Sequence, residues 1–195
     1  YLTNPHIVIV GISGSGKSYT IKTFLTRASF VWNANAVIID WAGEYREWVS
    51  QAGGKVIRLG GGNYLNLLDL GQMKPYARIQ QILETLRMLA NIGQSEIELR
   101  LLEKSLENVY TKAGFKLDSN DQYDPLGRPL QPPTLKDVVK DLEEKKLTEN
   151  LDLITSQALE GLIYKLKQFT RPGDDFFSNP STLNLDSLIS SGLVD

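Results

Sequence analysis

The chain has 195 residues, 42% hydrophobic and 23% charged, which is ordinary for a folded protein and enough for one α/β domain with a substantial insertion. Its 21 basic and 23 acidic residues leave a net charge of −2, so no global pull toward nucleic acid or anionic membrane exists, although a ring of subunits can gather a few lysines in one pore. The absence of cysteine and the single histidine, His6, exclude disulfides, thiolate metal sites and histidine metal clusters.

No apolar run approaches the ~20 residues that span a bilayer. Tyr1-Leu2-Thr3-Asn4-Pro5 lacks the basic start and apolar stretch of a signal peptide. The chain has no initiator methionine, reads into a strand by His6 and stops at Leu193-Val194-Asp195, which reads as the start of another. It is expected to be a piece of something longer.

Ile7-Val8-Ile9-Val10 is a continuous β-branched run, the pattern of a strand buried on both faces of a parallel sheet. A Gly/Ser loop follows. Ser18 to about Val31 has helical spacing, with Ile21, Phe24, Leu25 and Ala28 on its buried side. Ala36-Val37-Ile38-Ile39 reads as a second buried strand ending at Asp40. Glu44 to Ala52 reads as a short helix with Tyr45, Trp48 and Val49 inward, and Lys55 to Leu59 as a third strand. This alternation predicts right-handed parallel crossovers and a wound α/β core.

Beyond Gly60-Gly61-Gly62-Asn63 the character changes. Tyr76 to about Asn91 places Ile79, Ile82, Leu83, Leu86 and Leu89 at helical intervals. Ser95 to about Gly114 does the same with Leu99, Leu102, Leu106, Val109 and Tyr110. Asp118 to Pro133 is a polar, proline-rich loop. Thr134 caps a third helix running to about Lys146, and Ile154 to Phe169 is a fourth. Arg171 to Phe177 is a turn, and Gly192 onward returns to strand. The expected organisation is residues 1–74 as the first part of a core, 75–170 as an all-helical insertion and 171–195 as the return to the core.

Gly11-Ile12-Ser13-Gly14-Ser15-Gly16-Lys17-Ser18 fits the Walker A pattern at every fixed position. Glycines let the backbone curl so that successive N–H groups point at phosphate oxygens. The following helix turns its positive end toward the same anion. The lysine reaches the β- and γ-phosphates and the serine hydroxyl ligates magnesium. The expected cofactors are therefore ATP and Mg²⁺. Phosphate contacts come from Gly11, Ser13, Gly14, Ser15, Gly16, Lys17, Ser18 and the adjoining Tyr19. An ATP user is expected in the cytoplasm.

Asp40 closes an apolar strand, where the carboxyl ends of parallel strands line a ligand crevice. In Asp40-Trp41-Ala42-Gly43-Glu44-Tyr45 three readings compete. Asp40 ligates magnesium, with Glu44 positioning water; or Asp40-x-x-Gly43 is a GTPase switch; or Asp40 caps the next helix and Glu44 sits at its positive end. The GTPase reading fails, because only 23 positions separate Lys17 from Asp40 and no Asn-Lys-x-Asp element occurs. The expected catalytic set is Lys17, Asp40 and Glu44, and the expected metal ligands are Ser18 and Asp40. Trp32, Trp41 and Trp48 are expected to pack rather than stack on bases, and Glu143-Glu144-Lys145-Lys146 to form a solvated face. Arg171 reads as a loop arginine.

Walker A followed by a strand closing in Asp40-x-x-Gly43-Glu44-Tyr45 resembles the HerA–FtsK superfamily of ring-shaped DNA-pumping ATPases. Within it the chain looks most like the conjugation and type IV secretion ATPases of the VirB/TrbE/TraC type. Asn63-Tyr64-Leu65-Asn66-Leu67-Leu68-Asp69 is similar to that group's asparagine-rich approach to its helical insertion. Pro133-Thr134-Leu135-Lys136-Asp137, the leucine-rich fourth helix and Phe177-Ser178-Asn179-Pro180-Ser181-Thr182-Leu183-Asn184-Leu185 are similar to later landmarks.

The resemblance implies a P-loop NTPase of RecA-like architecture, a parallel sheet core with an all-helical insertion. It implies a hexameric ring and either DNA or secretion-channel components as partners. The location would be cytoplasmic, or peripheral at the cytoplasmic membrane as part of a secretion complex. The family's Walker B acids, glutamine sensor and arginine finger find no match here and are expected beyond Asp195, leaving this piece weakly active or inactive by itself. A small P-loop kinase and a non-hydrolysing assembly scaffold are the alternatives.

Overall fold

The computed structural model describes residues 6–92, 95–173 and 175–184. The chain divides into two compact units, residues 1–58 with 184–195, and residues 59–183. Among the described residues there are six helices: α1 (Lys17–Trp32), α2 (Arg46–Gln51), α3 (Pro75–Ala90), α4 (Glu96–Lys112), α5 (Leu135–Thr148) and α6 (Leu153–Lys167).

Among the described residues the expected parallel sheet is not seen. Among the described residues pairing is confined to isolated bridges, such as Gly60 with Asn63 and Tyr123 with Pro129. Ile7 to Val10 run as unpaired chain with exposed side chains, Val8 at 84%. Ile39, in the second expected strand, is 98% exposed. Strand preference measures how well a residue fits a pleated, half-buried surface. A parallel strand needs a hydrogen-bonding neighbour at its edge and cover on both faces. Among the described residues the second and third runs reach no more than a single bridge position each, at Val37 and Lys55, so their pattern alone produces no ladder. The strands expected at Gly192 and at Leu193-Val194-Asp195, the start at Tyr1 to Pro5, and Leu185 lie outside the described residues.

In the first unit α1 buries Ala28 and α2 buries Val49, while Phe24, expected inward, is half exposed and meets Trp32 edge-on at 6.4 Å between ring centroids. Packing covers the three tryptophans less than expected. Trp32 is exposed, Trp41 fully so, and Trp48 is half-buried.

The second unit is built as its apolar spacing dictates. Pro75 opens α3 at its first position, where a missing N–H costs nothing. Ser95 caps α4 by accepting the N–H of Ile97, and Asp152 caps α6 by accepting that of Thr155. Thr134 and Asp137 cap α5 reciprocally, the Asp137 carboxylate taking the Thr134 N–H at 2.7 Å. Helix α4 is the hub, touching α3, α5 and α6. Leu102 and Leu106 of α4, Ile79, Ile82 and Leu86 of α3, Val138 and Leu142 of α5, and Leu159, Leu162 and Leu166 of α6 are sealed into one core. Leu89, expected on this face, is exposed.

Polar groups in this unit are paired across helices. Glu98 of α4 takes the Lys165 ammonium of α6 at 2.9 and 3.0 Å. Asp141 of α5 accepts Ser105 and Lys112 of α4. The charged run expected to be merely solvated bridges α5 to α6 through Glu143 with Lys167 and Lys146 with Glu160.

The two ends of the unit are stapled together. Leu65 and Leu67 donate backbone N–H groups to the carbonyls of Phe176 and Phe177, and Thr182 donates to Tyr64. Buried Asn66 holds four partners, one of them the Asp69 N–H on its carbonyl. Its amide nitrogen donates to the Pro133 carbonyl, its side-chain oxygen accepts the Leu68 N–H, and its backbone N–H donates to Ser181 Oγ.

Candidate nucleotide site

The loop Gly11–Gly16 and the start of α1 form a curled backbone whose shape depends on glycine. Gly14 and Gly16 have φ of 76° and 85°, in the left-handed region where a side chain is strained. A Cβ on Gly11 would fall 2.5 Å from Ser15 Oγ, so the Ser15 side chain would have to turn aside to admit one. Ser15 N–H closes the turn on the Ile12 carbonyl at 3.2 Å. Helix α1 carries no acidic residue in its first turn, so nothing on the helix neutralises its positive end.

Lys17 Nζ donates to the carbonyls of Gly11 and Ile12, both at 2.8 Å, which folds the ammonium back across the loop. Ser18 Oγ donates to Glu44 Oε2. Ser13 and Tyr19 are exposed at the loop and the helix start. The donor set fits a phosphate and a magnesium ion. A curled backbone, the Lys17 ammonium and the start of α1 meet at one loop–helix junction, and hard oxygen ligands are at hand there in Ser18 and Glu44. No group of three or more acidic, histidine or cysteine side chains that could hold a metal gathers anywhere among the described residues, this site included. Magnesium, which is commonly held by one or two protein oxygens plus phosphates and water, suits so sparse a set.

Asp40 is placed differently from Glu44. Its two carboxylate oxygens accept the backbone N–H groups of Gly43 at 2.9 Å and Tyr45 at 2.8 Å, closing its own loop. The Tyr45 N–H is the main cause that holds this carboxyl below its ordinary value of 3.8. Burial opposes it, and the N–H groups of Glu44, Gly43 and Ala42 add to it. Gly43, at φ 73°, makes the turn possible. The structure thus joins Glu44 to Ser18, and occupies Asp40 with the backbone on either side of Glu44.

Lys22 carries no motif and sequence reasoning passed over it. Its Nζ donates to the Glu44 carbonyl at 2.7 Å and stands 5.2 Å from the centroid of the Tyr45 ring. Its position four residues after Ser18, on the same face of a helix, was the one available signal. Arg171 is exposed in the second unit. No helix among the described residues is long and apolar enough to cross a membrane.

Residues 2–193 match the family model described as the central domain of the helicase HerA. No protein of curated function matches the sequence. Among solved structures, VirB4 of Thermoanaerobacter pseudethanolicus is similar, with a TM-score of 0.72 and 25% identity over 94% of this chain and 47% of that one. The chain spans about half the length of that structure. With the family match running through nearly its whole length and the VirB4 likeness covering the same ground, the chain belongs to the HerA central-domain family, within the HerA–FtsK and type IV secretion ATPase group.

Proposed function

We propose that this chain binds ATP with magnesium at Gly11–Ser18 and serves as the motor domain of a conjugative or type IV secretion ATPase. The observation that carries the reading is the Walker A curl, with Lys17 and Ser18 heading α1, in a member of the HerA family. In this reading the loop N–H groups and Lys17 hold the β- and γ-phosphates. Lys17 leaves the Gly11 and Ile12 carbonyls to do so. Ser18 offers its hydroxyl to magnesium, which when bound draws off charge from the phosphates. Asp40 and Glu44 supply the carboxylates next to the site, and residues 75–170 are a helical insertion in the motor. A ring of copies and DNA or channel components as partners extend the reading to the whole protein. The likeness to a secretion ATPase supports it and gives no support to a small-molecule kinase.

The test is ATP binding and steady-state hydrolysis by the intact protein, with and without DNA. Lys17→Ala should abolish nucleotide binding and turnover while leaving the thermal melting of the unliganded protein unchanged, since its ammonium meets only exposed loop carbonyls. Unchanged turnover in the folded variant overturns the reading.

A further inference from the structure

We propose that Lys22 is a positioning residue that sets the Glu44 carboxylate beside Ser18, making Glu44 part of the magnesium shell. The inference rests on the nucleotide reading above and goes beyond it.

Glu44 is held at every side of its backbone. The Gly43 and Tyr45 N–H groups, immediately before and after it, both end on Asp40. Its own carbonyl is taken by Lys22 at 2.7 Å. Tyr45 lies beneath the same ammonium at 5.2 Å, an aromatic face that favours a cation there. Ser18 and Lys22 stand one turn apart on one face of α1. The helix therefore grips one loop residue at two points, hydroxyl to carboxylate and ammonium to carbonyl. With its backbone so fixed, Glu44 has its carboxylate on the hydroxyl that Walker A chemistry assigns to magnesium. The Lys22 charge is not consumed by an ion pair, since its partner is a carbonyl. Asp40 then acts through the loop it closes.

The experiment titrates MgCl₂ into the intact protein and a fluorescent N-methylanthraniloyl ATP, at fixed nucleotide. Lys22→Met keeps the apolar stem and removes the donor. It should leave magnesium-free nucleotide affinity unchanged and raise the half-saturating magnesium about tenfold or more, as loss of an outer partner does at metal sites. Glu44→Gln should shift magnesium in the same direction. The double variant should be no worse than Glu44→Gln alone, because both act through one carboxylate. Lys22→Arg, which can still donate to the carbonyl and stack on Tyr45, should recover most of the shift and guards against a folding defect in Lys22→Met. An unchanged magnesium midpoint in Lys22→Met, or additive effects in the double variant, overturns the proposal. Failure of the wild-type protein to bind the nucleotide, or binding unaffected by Lys17→Ala, overturns the nucleotide reading beneath it.

Discussion

At the scale of single residues, Asp40 shows how one carboxylate can close the loop it belongs to. Its oxygens take two backbone N–H groups, and these contacts are made only in the folded loop. A carboxyl whose folded value is depressed adds stability above its unfolded value and loses it as pH falls through the folded one. Asp40 therefore stabilises its loop at neutral pH, and that contribution fades on acidification below about pH 4. Asp40→Asn should lower the denaturant midpoint at pH 7 and show a weaker decline than wild type below pH 4. Equal slopes for the two proteins in an unfolding series across pH would refute this role. The Walker A residues and Asp40 were legible in the sequence because each belongs to a contiguous pattern. Lys22 was not, because the two ends of its contact lie 22 positions apart and only the folded loop brings them together.

At the scale of elements, the helices of the second unit could be read from apolar spacing, often to within a residue or two. Tyr76 to Asn91 was expected and Pro75–Ala90 is found. Capping residues made this possible, since Ser95, Thr134 and Asp152 each mark a start by their own chemistry. The β-branched runs were misleading for the opposite reason. A helix satisfies its backbone locally, whereas a strand depends on a partner that its own residues do not specify. The staple between residues 64–67 and 176–182 stands between these cases. Both segments stood out by family likeness, but their pairing across more than a hundred positions required the fold. Asn66 concentrates that dependence. Asn66→Ala would strand the Pro133 carbonyl and the Leu68 N–H inside the unit, and an unpaired buried group costs about 1–3 kcal/mol. The variant should lose at least that much stability in chemical denaturation. A loss below about 0.5 kcal/mol, the range of ordinary surface changes, would mean that the staple is dispensable.

At the scale of the molecule, the two units differ in what holds them. The second has a continuous leucine-rich core, while the described part of the first buries only Ala28 and Val49 among its apolar side chains. Leu102 sits in the hub helix at 0% exposure, and Leu102→Ala should cost about 2–5 kcal/mol through the cavity it leaves. That loss should appear in the far-ultraviolet circular dichroism melt, because α3 to α6 supply most of the helix. The chain's three tryptophans, at 32, 41 and 48, all fall in the other unit. Their emission therefore watches the nucleotide loop's own unit, with no indole in the helical core to obscure it. Trp41 lies directly after Asp40, fully open to water, inside the turn that delivers Glu44 to Ser18. Excitation near 295 nm is thus a built-in optical probe of that turn. Nucleotide with magnesium should move the emission of the unlabelled protein, and acrylamide quenching should fall if the turn closes over the indole. Changing Trp41 to Phe should remove most of that response while leaving the signals of Trp32 and Trp48 as an internal reference.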